Sequence, residues 1–375
     1  MILQYFKEEF TLRLKKGIFP DYDDLLKKTL FEFNTHREEI SEDQFLEWFQ
    51  NICQLNFLAK FIDDLQNTEI ILHSNYLIQV EKNSQLVSYK VNIAQDIFQL
   101  SLEYLALVHN QTWNYSDPFA SFQAQVNGHN FRVTMSHQSM SPLHSPKIFL
   151  RRQNNTPFDL CHFMLPENVE KFIVTAITDK KNMMISGATG SGKTSFMKTL
   201  LHHVPANEHV ITLEDTHELT DLPKNWTSLI AHDKLDGHSL NDLCAYSLRM
   251  RPDRIILGEV RSKEAIPFLL SMNNGHKGLM GTIHANSAQD TLHRMTLLFS
   301  LYAEKGQIPY PTIMQLVCKN LDYIVFIENK KVVEISKVLG AQDDGLPLIS
   351  EIYSVHIDQG NLKLIDREYL ASNFD

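Results

Sequence analysis

The sequence predicts an α/β chain in which an N-terminal α+β domain is followed by a second domain built on a largely parallel sheet. Three observations predict it. Beyond residue 166, strand-like apolar runs (NMMIS, HVITLE, RIILGE, LMGTIHA) alternate with helical stretches, the pattern of strands joined by crossover helices. Before residue 152, the short segments TEIILH, YLIQVEK, LVSYKVNI, FQAQV, NFRVTMS and KIFLRR surround one longer helical stretch, 94–108. Eight of the 14 glycines fall between Gly187 and Gly281, so backbone freedom is concentrated where close approach to a ligand is expected.

The elements follow in order. Residues 1–51 read as a helical extension, dense in charge, with Leu26, Leu30, Phe33, Phe45 and Phe49 at helical spacing. Residues 52–152 form the α+β domain. The polar stretch RRQNNTPFDLCHF, with its proline, marks a linker over 153–165. The second domain, 166–375, opens with a helix at Pro166-Glu167, proline being tolerated in a first turn. Val169, Phe172, Ile173, Ala176 and Ile177 give that helix one apolar face.

Composition narrows the function classes. With 43% hydrophobic and 21% charged residues the chain is globular in character, and a net charge of −10 argues against a broad nucleic-acid-binding surface. Four cysteines without a CxxC pair suggest neither zinc nor a disulfide framework, and four buried or half-buried thiols in a reducing cytoplasm are expected. The charged N-terminus has no apolar leader core, and no run approaches the ~18 apolar residues of a membrane span.

The segment ISGATGSGKTSF carries the sharpest signal. Gly187, Ala188, Thr189, Gly190, Ser191, Gly192, Lys193 and Thr194 match G-x-x-x-x-G-K-[ST] in full, with Ser195 following, between an apolar strand and a helix-compatible run. Such a loop turns successive backbone N–H groups toward phosphate oxygens, and the helix N-terminus adds positive potential. Lys193 is expected to neutralise the outer phosphates of a nucleoside triphosphate, and the Thr194 hydroxyl to sit on Mg²⁺.

Three later stretches end strands, where an open α/β sheet places its ligand crevice. VITLEDTHEL brings Glu214, Asp215 and Glu218; LRMRPDRIILGEVR brings Glu259; NNGHKGLMGTIHAN brings His276 and His284. Hydrolysis needs a carboxylate to direct a water and others for the metal's shell, so Glu259 is the candidate for water activation and Glu214 or Asp215 for the metal. Arg249, Arg251, Arg254 and Arg261 lie within 13 residues, and one or two of them are candidates for a γ-phosphate contact, within the subunit or from a neighbour. Gly275, Gly278 and Gly281 would let the chain around the histidines approach a phosphate.

Taken in order, GATGSGKT, ITLEDTHEL, RMRPDRIILGE and GHKGLMGTIHANS resemble the secretion-ATPase superfamily, the hexameric motors of type II and type IV secretion, type IV pili and Tad pili. The resemblance covers about 52–340, and the stretches SLRMRPDRIILGE and VVEISKVLG look closest to the Vir-type and Tad-pilus branches. It implies a RecA-like C-terminal ATPase domain, ATP and Mg²⁺ as ligands, a homo-hexamer, and inner-membrane platform proteins as partners. It places the protein in the cytoplasm, docked peripherally at the inner membrane. It also implies that Glu259 is the catalytic carboxylate, that Glu214 assists in the metal shell with Thr194 and Glu259, and that His284 senses the γ-phosphate. Arg132 and Arg151 match the arginines that reach the nucleotide from the N-terminal domain, with Arg152 one residue away from the second. A motor of this kind is one reading; a DNA-directed RecA-like motor or a nucleotide-gated assembly scaffold is the alternative.

Overall fold

The computed structural model describes residues 2–18, 21–28, 42–83, 85–153, 159–220, 222–231, 238–303, 308–358 and 361–363. Leu30 and Phe33 of the expected helical spacing, and 154–158 of the expected linker, lie outside them. The chain divides into two compact units, Met1–Asn154 and Asn155–Asp375.

The first unit holds α1 (Ile2–Lys15), α2 (22–28), α3 (Glu42–Gln54), α4 (Ala59–Ile62), β1 (Asn67–Ser74), β2 (Leu77–Lys82), β3 (Gln85–Lys90), α5 (Gln95–Val108), β4 (Phe119–Val126), β5 (His129–Ser136) and β6 (Lys147–Arg152). Its six strands run β3-β2-β1-β6-β5-β4, antiparallel throughout. Alternation does the sorting: Ile70, Leu72, Val133 and Leu150 face Phe98, Leu102 and Leu105 of α5, while the intervening residues face away. The N-terminal helices are not a detached extension. Phe6, Phe10, Leu25 and Phe45 share one core with Ile97 and Leu100 of α5.

The second unit holds α6 (Glu167–Thr178), β7 (Met183–Ser186), α7 (Lys193–Leu201), β8 (Val210–Glu214), β9 (Thr227–Ile230), α8 (Leu240–Ser247), β10 (Arg254–Val260), α9 (Ala265–Asn273), β11 (Met280–Ile283), α10 (Ala288–Tyr302), α11 (Tyr310–Asn320), β12 (Tyr323–Glu328), β13 (Lys331–Ala341) and β14 (Pro347–Ser354). A small hairpin, β15 (His356–Asp358) with β16 (Asn361–Lys363), follows. The main sheet runs β14-β13-β12-β7-β11-β10-β8-β9, parallel from β12 to β9 and closed on one side by the antiparallel β13 and β14. Central strands buried on both faces read as continuous apolar runs, which is why MMIS and RIIL show no alternation. Met183 and Ile185 join the core under α6 and α7, while Met184 joins the opposite core under α8 to α11. All five apolar positions expected on α6 are buried. Leu160, Phe163 and Leu165, inside the stretch expected to be linker, are buried in the same core as α6. A polar composition hid these three anchors.

The consequence for function is geometric. Parallel strands β7, β8, β10 and β11 all end on one edge of the sheet, so the residues that follow them converge there.

Candidate functional site

The loop between β7 and α7 turns on three glycines, Gly187 at φ 153°, Gly190 at φ 74° and Gly192 at φ 100°. Gly187 is demanded by the neighbouring β12–β13 hairpin, and Gly192 by its own left-handed backbone. A Cβ on Gly187 would lie 2.2 Å from the Ile327 carbonyl oxygen, and one on Gly192 would touch Lys330 at 3.5 Å. Gly192 occupies the N-cap of α7 and no side chain caps the helix, whereas α8 and α10 are capped by Ser239 and Ser287. The first-turn N–H groups of α7 are therefore left for a ligand, and each open N–H adds to the positive end of the helix.

Lys193 opens α7 and bends back over the loop. Its ammonium donates to the Gly187 carbonyl at 2.9 Å and to the Ala188 carbonyl at 2.8 Å, and lies 3.3 Å from His284 Nδ1. His284, just past β11, sets its Nε2 2.8 Å from Glu259 Oε1, at the end of β10. The protonation states follow from these contacts. Burial lowers the His284 pKa first and the Lys193 charge lowers it further, against the opposing pull of Glu259, and the net lowering favours the neutral ring. A neutral ring facing a carboxylate with Nε2 must donate from Nε2, which leaves Nδ1 bare to accept from Lys193. All three protons of the Lys193 ammonium are thus engaged, and a chain runs Lys193 to His284 to Glu259. Burial also lowers the Lys193 pKa, with Glu259 and Glu218 holding it up.

Glu259 reaches its position through an irregularity. The β10–β11 register shifts between Leu257 and Val260, and the Thr282 hydroxyl donates to the Gly258 carbonyl at 2.5 Å. Gly258 is glycine because Glu214 crowds it, its virtual Cβ falling 3.1 Å from Glu214 Cγ. Glu214 ends β8 at 2% exposure, and its Oε1 accepts from the N–H groups of Glu218 (2.9 Å) and Leu219 (3.0 Å). Its Oε2 is buried with no partner among the described residues, as is the Ser191 hydroxyl in the loop. Burial pushes the Glu214 carboxyl up to about 7, against the lowering effect of the two N–H groups. Asp215 is ion-paired with Arg261.

Other expected site residues lie elsewhere. Arg249 and Arg251 are exposed and precede β10, with the Arg251 carbonyl accepting from His209 Nδ1 at the opposite edge of the sheet. Five steps along β10, from Arg254 to Glu259, separate that edge from Glu259 by ~17 Å, so neither arginine serves the cradle of its own chain. His276 also sits on the far edge, before β11. Nor do the glycines beside it approach a phosphate: a Cβ on Gly278 would collide with Arg254 Nη1 at 2.8 Å, and Gly281 packs against Met184 and Phe268. Arg254 itself is buried and forms a two-pronged pair with Glu208, at 2.6 and 3.2 Å, a partner that sequence spacing did not reveal.

In the first unit, Arg132 of β5 and Arg151 of β6 stand directly opposite one another. Like charges in that register repel unless an anion or a carboxylate relieves them, and Glu69 of β1 faces Arg151 on its other side. The neighbouring Arg152 is committed elsewhere. It donates to the carbonyls of Asn67 and Ile62 and stacks over Phe131, so Arg151 is the residue of the two with its guanidinium exposed.

The Type II/IV secretion system protein family matches residues 114–321. The type IV secretion system protein VirB11 of Bartonella henselae is 35% identical over 192 residues, covering 50% of this chain and 53% of that protein. PtlH of Bordetella pertussis is 35% identical over 166 residues, 43% of this chain and 49% of PtlH. The chain thus spans about half the length of these relatives. The probable conjugal transfer protein TrbB of Sinorhizobium fredii is 27% identical over 72% of this chain and 82% of its own. Among solved structures, the pilus retraction motor PilT with bound ADP superposes with a TM-score of 0.58 at 19% identity, over 84% of each chain. The ATPase DotB of Legionella pneumophila gives 0.56 at 16% identity, over 80% of this chain and 79% of DotB. These two establish the fold, an N-terminal domain followed by a RecA-like domain. By its motifs, its fold and the span of the match, the chain belongs to the Type II/IV secretion system protein family.

Proposed function

We propose that this protein is the ATP-hydrolysing subunit of a hexameric motor serving a type IV secretion apparatus or a Tad-like type IV pilus, working in the cytoplasm and docked on inner-membrane platform proteins. The observation that carries the reading is the Lys193–His284–Glu259 chain, which ties the phosphate-binding lysine to the candidate water-directing carboxylate. VirB11 and PtlH are named as type IV secretion system proteins and PilT as a pilus retraction motor, which supports a motor of this class. No helix among the described residues is long and apolar enough to cross a membrane.

The residues present fit Mg·ATP. An uncapped α7 N-terminus, a loop kept bare of side chains at Gly187 and Gly192, and a lysine bent onto that loop form an anion cradle. Ala188, Thr189, Gly190, Ser191 and Ser195 complete the backbone that would face the phosphates. Thr194 and Glu259 would hold Mg²⁺, with Glu214 behind them. When bound, the ion neutralises phosphate charge. Lys193 gives up its loop carbonyls and His284 to the entering phosphates, since one ammonium has only three protons to share. Glu259, released from His284, then orients a water for attack on the γ-phosphorus. The bond to the β–γ bridging oxygen breaks, and the water's proton passes through Glu259 to phosphate. His284 is left free to report whether the γ-phosphate is present. Arg132 and Arg151 of the first unit are proposed nucleotide contacts, and Arg249 and Arg251 fit a role only on a neighbouring subunit's nucleotide.

The test is Mg²⁺-dependent phosphate release by the purified chain across a range of protein concentrations. Specific activity is expected to rise with concentration as rings assemble, and Lys193→Ala is expected to abolish it. Turnover that survives Lys193→Ala would sink the proposal.

A further inference from the structure

The hairpin that abuts the cradle carries a residue its turn does not want. The pairing of Glu328 with Lys331 leaves Asn329 and Lys330 as the two turn residues, both left-handed, at φ 49° and 63°. That is a two-residue turn of the kind that favours Asn followed by Gly, because both positions need positive φ. Asparagine stands at the first position as expected. Lysine stands at the second, where every side chain adds strain that glycine would avoid. Strain held against an available remedy is a pointer to function.

What the lysine touches gives the function. The Lys330 N–H donates to the Ser191 carbonyl at 2.9 Å, so the turn is fastened to the phosphate loop itself. Its stem lies along Gly192, with Cγ 3.7 Å from where a Cβ of that glycine would stand. The residue is exposed, and no carboxylate pairs with it among the described residues. A lysine whose backbone is tied to the phosphate loop, and whose stem lies beside the residue that caps α7, has its ammonium within side-chain reach of the place where phosphate charge would gather.

We propose that Lys330 is a second cation of the nucleotide site, binding the phosphate chain of a nucleoside di- or triphosphate from the hairpin side while Lys193 binds it from the helix side. This rests on the nucleotide reading of the loop. It also accounts for the chemistry of the turn: the strain at residue 330 is retained because glycine there would leave the cradle with one lysine instead of two.

Glycine itself supplies the decisive variant. Lys330→Gly removes the charge but suits the turn, so thermal stability should equal or exceed that of the parent, and Mg·ATP should bind about tenfold more weakly. Lys330→Gln keeps the stem without the charge and should weaken binding similarly, while Lys330→Arg should keep most of the affinity. The affinity of the parent chain should also fall more steeply with added salt than that of Lys330→Gln, which a purely structural role would not produce. Calorimetric titration of the full chain with Mg·ATP reads all four. Parent-like affinity in Lys330→Gln or Lys330→Gly, with Lys193→Ala still defective, would overturn the role of Lys330 alone. A parent chain that binds Mg·ATP no better than Lys193→Ala would overturn the nucleotide reading with it.

Discussion

The two ends of β10 carry two contacts between a carboxylate and a basic side chain that differ in kind, one an ion pair and the other a hydrogen bond from a neutral ring. At the entrance, Arg254 is held by both oxygens of Glu208 and is 1% exposed. At the exit, Glu259 meets His284 through a single 2.8 Å contact, and both side chains are about one-third exposed, at 30% and 36%. The first pair is enclosed: Gly278 is bare so that Arg254 can fit, and Lys180 adds a second cation 3.5 Å from Glu208. A buried pair with two-pronged geometry cannot part without leaving a charge stranded, so it locks the strand in place. The second pair can part cheaply, because each partner has water or another group to turn to. One strand thus has a fixed end and a switchable end, and the switchable one faces the cradle.

The largest effect should come from breaking the fixed end. Glu208→Gln leaves Arg254 buried with no counter-charge on that side, and a loss of about 3 kcal/mol in unfolding free energy is expected by denaturant titration. A loss below about 1 kcal/mol would show that Arg254 is solvated after all, and the contrast between the two ends would collapse.

The switchable end should respond the other way. Glu259→Gln keeps the shape and the contact with His284 but removes the base, so phosphate release should fall about 100-fold or more while unfolding free energy shifts by less than about 1 kcal/mol. Nucleotide binding should persist. If Glu259→Gln instead destabilised the fold as much as Glu208→Gln, both pairs would be structural.

That contrast also shows where sequence suffices and where it does not. The phosphate loop was legible because everything it needs is contiguous: strand, glycines, lysine and helix within residues 183–201. The six strands of the first unit, and β7, β8, β10 and β11 of the second, were legible for the same reason, their burial being written in local runs; β9, β12, β13 and β14 were not read as strands. Sequence could not choose between a role for Arg249 and Arg251 within the subunit and one from a neighbour, because they are only ten and eight residues from Glu259 along the chain, yet β10 carries the chain across the sheet between them. Glu208 was missed because its partner is 46 residues away in sequence and adjacent only through β8–β10 pairing. Gly275, Gly278 and Gly281 were read as freedom for a ligand, whereas Gly278 and Gly281 make room for Arg254, Met184 and Phe268. A glycine says that space is needed, and only the fold says by whom.

Glu214 stands between the two kinds of pair, and a smaller, pH-dependent effect should reveal which it resembles. It is buried like Glu208 but has no cation; it is held by two backbone N–H groups through one oxygen, with the other unpartnered among the described residues. Its carboxyl is pushed from the ordinary 4.5 up to about 7 by burial. The sign follows from proton counting. Between those values the folded chain holds a proton that the unfolded chain has released, so this group's contribution to stability is complete below pH 4.5 and is lost as pH rises through about 7. Glu214→Gln removes the titration while keeping an acceptor for the Glu218 and Leu219 N–H groups. At pH 8 the variant should therefore be more stable than the parent by about 2 kcal/mol, and the advantage should fade toward pH 5. Equal pH profiles for the two chains would mean that Glu214 ionises freely, as a solvated metal-shell carboxylate would, and that holding the 215–219 turn is not what burial of this residue is for.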